Sequence, residues 1–335
     1  MRTAQSERGR KVPPRGKPVK RAPYTVLAAA KNRQVWLAAR RTMVTASDVA
    51  VILGVVRSKY YGATPFQLWM EKLGMLPEAE TEEAAEMGNS MEQFNASLFK
   101  QKTGRRVQRE QQLLRSTRYP WLGATLDYTQ QGDGHRTRGV LELKSTAKKY
   151  NWPDSPDDIT QPGVQCVSEP HLKWQAQLQT QLLVTSLGYG SISAVLGQPV
   201  FHHRWRDFNA HSQFQALILE RTREFWRYVE TKTPPPVDAF DNAAAREWVK
   251  QQPEGEQVEL SAGMLEHDAE LVRAKREFND ARKRVEYHEA QLLLAIGGAA
   301  SATLPNGAIY EIKKSHVDSY VVKGQLRVQL KRKEA

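Results

Sequence analysis

The sequence contains a single cysteine, Cys166, among its 335 residues. One cysteine excludes a disulfide within the chain, a cysteine-rich zinc site and a four-cysteine iron–sulfur cluster held by one chain. No apolar run approaches the ~18 residues of a membrane-spanning helix, and the basic first segment lacks the apolar stretch of a secretory signal. The sequence also has no Walker-type phosphate loop and no dinucleotide-binding glycine fingerprint. We therefore expect a soluble, cytoplasmic protein without an ATP-driven motor.

Positive charge is in excess and is unevenly distributed. The formal net charge is +12, and residues 1–21 contain eight Lys or Arg residues and one acidic residue. Because residues 1–23 have almost no large apolar side chains, they are predicted to form a disordered basic arm. Excess positive charge favours polyanions such as nucleic acid. A solvating tail that never contacts DNA fits the composition of this arm equally well.

Apolar periodicity divides the chain into helical and strand-like segments. The spacing predicts helices over 28–41, 49–53, 66–73, 82–102, 171–185 and 213–231. It predicts strands over 106–114, 123–128, 139–144, 191–196 and 200–205. Gly132-Asp133-Gly134 has turn chemistry, so the second and third strands are predicted to pair as an antiparallel hairpin.

Consecutive prolines mark a predicted domain boundary. Thr233-Pro234-Pro235-Pro236 follows the last of these helices and favours an extended linker. We therefore predict a catalytic domain over 24–238 and a C-terminal extension over 239–335. In the extension, four apolar residues recur every seven positions, which predicts a helical hairpin or coiled coil, or equally a helix packed on the preceding domain. They are Leu271, Phe278, Val285 and Leu292. A β-hairpin is predicted over Ala302–Lys314.

An acid and a base share one face of the predicted strand at residues 140–144, which read Val-Leu-Glu-Leu-Lys. The strand period of two places Glu142 and Lys144 together and the two leucines opposite them. Asp127 ends the partner strand, so its carboxylate can approach Glu142. Converging carboxylates repel each other, and Mg²⁺ removes that repulsion while accepting oxygen ligands. We expect Asp127, Glu142 and the Leu143 carbonyl to hold the cation, and Lys144 to orient or activate an attacking water.

Two helical segments add polar side chains. Glu92 lies on the predicted helix before the strands and is a candidate third carboxylate. Trp174, Gln177 and Gln181 share one face of a later helix, which is polar where a core helix would be apolar. Each segment alone is more typical of a solvated surface, and a Glu–Lys pair is commonly only a surface ion pair.

Taken together and in this order, these residues resemble the YqaJ-type viral recombinase family, which includes phage lambda exonuclease and is a branch of the PD-(D/E)XK nucleases. The similarity covers roughly residues 30–230. The family's last motif begins with Tyr, and this chain has Trp there. The matching positions are Trp36, Arg40 and Thr45-Ala46-Ser47-Asp48, then Gly88 to Glu92, Asp127, Glu142-Leu143-Lys144, and Trp174, Gln177 and Gln179.

The resemblance implies an α/β (α+β) fold with a PD-(D/E)XK restriction-endonuclease-like core, in which helices flank a central mixed sheet. It also implies Mg²⁺-dependent hydrolysis of one strand of duplex DNA in the 5′-to-3′ direction, with Mn²⁺ expected to substitute. Catalysis is assigned to Lys144, Glu142, Asp127, Glu92 and Gln177, and the metal to Asp127, Glu142, Leu143 and Glu92. Contacts with DNA and its 5′-phosphate are assigned to Arg40, Ser47, Trp36 and Gln179. Ser47 could equally be a plain helix N-cap.

The resemblance further implies partners and a cellular setting. Duplex DNA ends are the expected substrate, a single-strand annealing recombinase uses the 3′ overhangs, and a ring of three copies encloses the DNA in a bacterial or phage-infected cell. An endonuclease, or a trimming nuclease like those of CRISPR adaptation, is the first alternative. A DNA-binding recombination protein without activity is the second. The His202-His203 pair and the acidic residues Asp154, Asp157 and Asp158 are predicted to be ordinary surface groups.

Overall fold

The computed structural model describes residues 22–29, 33–56, 64–76, 83–132, 135–147, 151–153, 155, 158, 164–197, 201–255 and 257–313. The predicted basic arm lies outside these residues except for its last two positions. Residues 133–134 of the predicted turn, Asp154 and Asp157 also lie outside them. The described chain divides into two compact units, and the boundary between them in the sequence lies between Gln251 and Gln252. None of the described helices combines the length and apolar character needed to cross a membrane.

A five-stranded mixed sheet is the centre of the first unit. Its strands lie in the order β3, β6, β7, β8, β9, and only β7 and β8 pair in parallel. The β6–β7 pair is antiparallel, as the sequence predicts. The strands are β3 (Arg106–Arg109), β6 (Tyr128–Gly132), β7 (His135–Thr146), β8 (Tyr189–Leu196) and β9 (His202–Asn209).

Helices cover both faces of this sheet. Helix α4 (Glu83–Thr103) packs on β7, β8 and β9, where Leu141 and Leu143 join Phe99 in a buried cluster. Helix α5 (Leu172–Thr185) packs on β7 and β8 within the main core. The prediction of a mixed sheet flanked by helices is confirmed.

A second sheet of four strands adjoins the first. Its order is β1, β4, β5, β2, and only β2 and β5 pair in parallel. The predicted helix over 28–41 is wrong at its start, because residues 28 and 29 belong to a strand that pairs with β4 and the helix begins at Arg33. The elements are β1 (Tyr24–Ala29), α1 (Arg33–Arg41), β2 (Val44–Thr45), β4 (Gln112–Ser116) and β5 (Leu122–Thr125).

Two predicted strands are each divided between the two sheets. The segment 106–114 breaks at Gln111, whose φ of 48° lies in the left-handed region. The segment 123–128 breaks at Leu126 and Asp127. The two breaks face each other, because the N–H groups of Glu110 and Gln111 donate to the carbonyls of Asp127 and Leu126 at 3.0 and 2.9 Å. The chain therefore crosses from one sheet to the other twice at the same place.

The first unit extends beyond the predicted boundary at residue 238. An unpredicted helix, α7 (Asn242–Lys250), packs on α3, and Ala244 is buried in the core. Just before α7, the Thr64 hydroxyl donates to the buried Asp241 carboxylate. The proline segment is thus a connection within this unit. Its remaining helices are α2 (Val49–Ile52), α3 (Pro65–Lys72) and α6 (Ser212–Thr231).

The second unit contains the predicted helix and hairpin. Helix α8 runs over Met264–Ile296 for 33 residues. Strands β10 (Ser301–Thr303) and β11 (Ile309–Glu311) pair antiparallel and confirm the predicted hairpin.

Candidate active site

Strand β7 presents Glu142 and Lys144 on the face that α5 covers. The Glu142 side chain is 1% exposed, yet both of its carboxylate oxygens have partners. Lys144 Nζ lies 2.5 Å from Glu142 Oε1, which also accepts a 2.6 Å hydrogen bond from Gln177 Nε2. Gln181 Nε2 donates to Oε2 at 2.5 Å. These donors occupy both oxygens of the buried carboxylate and fix its position.

The Lys144 ammonium is held in turn by its acidic neighbours and by α5. Its Nζ donates to Gln177 Oε1 at 3.0 Å. Burial alone would lower the pKa of Lys144, but the Glu142 and Asp127 carboxylates outweigh it and the pKa is raised. Lys144 is therefore a cation that donates hydrogen bonds at neutral pH.

Asp127 occupies the crossing between the two sheets and points back at β7. Tyr128 pairs with Leu141, and the Leu143 N–H donates to Asp127 Oδ2 at 2.9 Å. Burial and the Glu142 carboxylate raise the pKa of Asp127 well above its ordinary value, and Glu92 adds to this although Lys144 opposes it. The predicted approach of Asp127 to Glu142 is thus present in the structure.

Glu92 reaches the same group from α4. Burial and then the Glu142 carboxylate raise its pKa, against Arg109 and Lys144, which lower it. Gln111 Nε2 lies 3.5 Å from Glu92 Oε2. One turn further along α4, the buried Asn95 side chain donates to the carbonyls of Lys144 and Ser193 at 3.0 and 2.9 Å. Asn95 therefore holds α4 against β7 and β8, which fixes the position of Glu92 along these strands.

The donor set fits a hard divalent cation. Three carboxylates, of Asp127, Glu142 and Glu92, act on one another electrostatically and face a single ammonium group, Lys144. Such an excess of oxygen ligands and negative charge is what Mg²⁺ neutralises. Within the described part of the chain, no group of three His, Cys, Asp or Glu side chains is arranged so that it could hold a metal ion by itself. The Leu143 carbonyl or water would therefore have to complete the coordination.

Arg40, on the last turn of α1, is the cation on the other side of the site. Its guanidinium lies over the Trp36 ring, 4.6 Å from the ring centre. One guanidinium nitrogen donates to Ser47 Oγ at 3.2 Å and to Thr45 Oγ1 at 3.4 Å. A guanidinium beside hydroxyl groups is a chemical match for phosphate oxygens.

A buried ion pair between Lys72 and Asp48 holds the backbone of Arg40 in place. Lys72 Nζ donates to Asp48 Oδ2 at 2.6 Å and to the Arg40 carbonyl at 3.2 Å. Burial would raise the pKa of Asp48, but Lys72 and Arg40 outweigh it and the pKa is lowered. The alternative that Ser47 is a helix N-cap is wrong: Asp48 is the N-cap residue of α2, and its carboxylate accepts from the Thr45 N–H at 2.8 Å. Ser47 is exposed, and its hydroxyl faces Arg40.

One cavity of about 360 Å³ unites the two halves of the site. Its walls contain the Arg40 group together with two of the carboxylates and Gln177 from α5. Gln111, which the sequence analysis missed, also lines it, and no sequence pattern signals the left-handed backbone at that residue. The lining residues are Trp36, Arg40, Thr45, Ala46, Ser47, Glu92, Gln111, Thr125, Asp127 and Gln177.

Two residues of the predicted glutamine motif lie outside the cavity. Gln179 is buried, donates to the Asn209 carbonyl at 2.8 Å and accepts from the His211 N–H at 3.0 Å, so its assignment to DNA binding is wrong. The reason is the helical period, which turns Gln179 about 200° away from Gln177 and brings Gln181 back. Trp174 is buried in the main core.

Two of the remaining polar residues, His203 and Asp158, make contacts within the fold, whereas His202 is exposed as predicted. His203 Nε2 lies 2.9 Å from the Ser193 hydroxyl, and burial lowers the pKa of His203 to about 4. The prediction that Asp158 is solvated is wrong, because its carboxylate accepts from the N–H groups of Val167 and Ser168 at 2.9 and 3.0 Å. Asp158 therefore ties down the loop before α5.

The match to a protein-family model agrees with the resemblance. Residues 35–188 match the model of the YqaJ-like viral recombinase domain. The chain is similar to an uncharacterized protein, YqaJ, of Bacillus subtilis (strain 168), with 26% identity over 82% of this chain and 81% of the relative. Among solved structures it is similar to the alkaline exonuclease LHK-Exo of Laribacter hongkongensis, with a TM-score of 0.42, 18% identity, 59% of this chain covered and 93% of that one. A phage-related exonuclease of Haemophilus somnus 129PT gives a TM-score of 0.40 and 12% identity over 56% of this chain and 94% of that one.

Proposed function

We propose, on the match of residues 35–188 to the YqaJ-like viral recombinase domain, that the protein is a Mg²⁺-dependent 5′-to-3′ exonuclease acting on duplex DNA. The observation that carries the proposal is the single cavity that joins Arg40 and Ser47 to Asp127, Glu92 and Gln177. A site that only bound DNA would not need buried carboxylates beside a charged lysine. A site that cut within a duplex would not need a guanidinium and hydroxyl groups placed for a terminal phosphate in the same cavity.

The residues divide the reaction between them. Arg40 and Ser47 hold the terminal 5′-phosphate, which places the next phosphodiester beside the carboxylates. Asp127 and Glu142, with Glu92 and the Leu143 carbonyl, would hold Mg²⁺, which supplies a Lewis acid and lowers the pKa of a bound water.

Lys144 orients the attacking water and donates a hydrogen bond to the negative charge that develops on the phosphoryl oxygens. Its raised pKa keeps it charged for this role. Gln177 bridges Glu142 and Lys144 and keeps their separation fixed.

The substrate topology tests the proposal against its alternatives. We expect Mg²⁺-dependent release of nucleotides from linear duplex, accumulation of 3′ single strands and no attack on covalently closed circles. Nicking of circular DNA would instead identify an endonuclease or trimming nuclease. Binding of linear duplex without hydrolysis in Mg²⁺ or Mn²⁺ would identify a recombination accessory protein.

Arg40→Ala is expected to remove the preference for 5′-phosphorylated ends. The wild type should digest 5′-phosphate duplex faster than 5′-hydroxyl duplex, and loss of a charge-assisted contact should reduce that ratio about tenfold or more. Initial rates on the two substrates give the ratio, which a general loss of folding would leave unchanged. Arg118→Ala is the matched control, because Arg118 is exposed and does not line the cavity. An unchanged ratio in Arg40→Ala would place the 5′-phosphate elsewhere.

Asp127→Asn is expected to melt at a higher temperature than the wild type in EDTA and at a lower temperature than the wild type in Mg²⁺. Because the folded-state pKa of Asp127 is raised, the wild type in EDTA loses stability as pH rises from the ordinary value of 3.8 through the raised one. Asparagine removes that loss and keeps the Leu143 N–H bonded, so the variant should melt higher in EDTA at pH 8.

In Mg²⁺ the order should invert. Mg²⁺ at a hundred times its dissociation constant stabilises the wild type by about 2.7 kcal/mol, and the variant should gain little. Circular dichroism melts measure both conditions. Asp280→Asn, on an exposed part of α8, should follow the wild type throughout. Equal Mg²⁺ shifts in wild type and Asp127→Asn would remove Asp127 from the metal site.

The proposed partners follow from the same premise. Duplex ends are the substrate, a single-strand annealing recombinase takes the 3′ strand, and Mn²⁺ replaces Mg²⁺. A ring of three copies would keep the enzyme on one strand in the cytoplasm of a bacterial or phage-infected cell. Light scattering at working concentration measures the mass, and a monomer would contradict the ring.

A further inference from the structure

Helix α8 exposes a regular apolar stripe. All 33 of its residues are described, and none of them is buried. Leu271, Phe278 and Val285 are 38%, 68% and 59% exposed and lie seven residues apart. Leu292 continues the repeat. A straight helix repeats every 3.6 residues, whereas a strict seven-residue repeat keeps one stripe facing a partner helix that winds around it.

The residues beside the stripe follow the pattern of a coiled coil. With the stripe in the first position of each seven-residue repeat, the fourth positions hold three alanines, whose small side chains let two helices approach closely, and one histidine. They are Ala274, Ala281, His288 and Ala295. The charged residues then fall in the fifth and seventh positions, which flank the seam between two helices. The fifth positions hold Lys275, Arg282 and Glu289, and the seventh positions hold Glu270, Glu277 and Arg284.

The pattern of these charges predicts which helix pairs with α8 and in which orientation. In a parallel pair of identical helices, each seventh position faces the fifth position of the next repeat on the partner. This pairs Glu270 with Lys275, Glu277 with Arg282, and Arg284 with Glu289, so every pair joins opposite charges. In an antiparallel pair, fifth positions face fifth positions, so an overlap that brings Lys275 opposite Glu289 also brings the two copies of Arg282 together.

We propose that α8 binds the α8 helix of a second copy of this chain, parallel and in register. The occupant is a second copy because the charges of α8 complement one another across a parallel, in-register seam without any like-charged pair. Association through α8 would bring a second catalytic unit to one DNA molecule and raise its effective concentration there, through a contact separate from the one that closes the proposed ring of three copies. The inference rests on the second unit and does not depend on the proposed nuclease function.

Cysteine cross-linking in the full-length chain tests the contact directly. In a Cys166→Ser background, Ala281→Cys introduces a thiol on the seam, and Ala269→Cys introduces one on the opposite face of the same helix. Parallel, in-register helices bring the two copies of position 281 within disulfide reach. We expect about tenfold more cross-linked dimer with Ala281→Cys than with Ala269→Cys under mild oxidation. Equal yields, or none with either variant, would overturn the proposal.

Charge exchange tests the direction of the helices, again in the full-length chain. One variant combines Glu270→Lys, Glu277→Lys and Arg284→Glu, and a second combines Lys275→Glu, Arg282→Glu and Glu289→Lys. In a parallel pair each variant repels itself, so the Ala281→Cys cross-link should fall about tenfold in either background. An equimolar mixture restores opposite charges at all positions and should restore the cross-link. A cross-link retained by the first variant alone would overturn the parallel arrangement.

Discussion

Lys144→Ala is expected to slow the digestion of linear duplex by about a hundredfold to a thousandfold, the range for loss of one positioned donor to developing charge. Lys144 is the one ammonium group that the three carboxylates act on together in the described site. Its removal takes away the hydrogen bond to water and leaves Glu142 buried with only glutamine donors. Single-turnover digestion of an end-labelled duplex measures the chemical step without product release.

Lys250→Ala is the matched control for this prediction. Lys250 ends α7 in the same unit and forms a surface pair with Glu247 at 2.9 Å. Its loss should leave the rate of digestion unchanged. Circular dichroism at the assay temperature should show folded protein for both variants. Wild-type digestion by a folded Lys144→Ala protein would disprove the assignment of this site to hydrolysis.

The second large effect is expected on stability, from Arg105→Met. Arg105 is 2% exposed and binds Asp207 through both guanidinium nitrogens at 2.7 Å, with Gln130 and Ser191 at 3.0 and 3.2 Å. Methionine retains some of the packing but leaves the Asp207 carboxylate without its cation. Breaking one partner of a buried pair costs about 3–5 kcal/mol, because the other charge stays desolvated. The free energy of unfolding in urea measures the loss.

A double variant separates charge from packing in this network. Arg105→Met with Asp207→Asn removes both charges and should recover part of the lost stability. The surface control is Arg223→Met, which loses a partly exposed pair with Glu230 and should cost less than about 1 kcal/mol. Similar losses for Arg105→Met and Arg223→Met would show that the buried network does not stabilise the sheet.

The repeat of side-chain directions along strands and helices, together with the residue types, was sufficient to predict the part of the site that lies on regular elements. The strand period placed Glu142 and Lys144 together, and the helical period placed Gln177 and Gln181 together. The same period should have excluded Gln179, which the family motif alone had brought into the site. Local patterns predict a side chain's direction when the element is regular, and here they did so on β7 and α5.

What escaped prediction depends on contacts between distant parts of the sequence. The breaks at Gln111 and Asp127 carry no glycine or proline, and they are fixed by hydrogen bonds between the two crossing segments. Helix α7 belongs to the first unit because Asp241 bonds to Thr64, 177 positions away in the sequence. Asn95 contributes to the site through hydrogen bonds to β7 and β8, where it donates to two carbonyls and accepts from the Ser193 hydroxyl. None of these partners is visible in a local window of residues.

The double crossing between the sheets fixes the distance between the two groups of residues that form the site. Arg40 and Ser47 stand beside β2 of one sheet, whereas Glu142 and Lys144 stand on β7 of the other. The paired breaks at Glu110–Gln111 and Leu126–Asp127 set the spacing between these two groups. In an enzyme that grips a 5′-phosphate with one group and hydrolyses with the other, that spacing decides how many nucleotides leave in each cycle. The length of the product would then be a property of the sheet junction, whatever the DNA sequence.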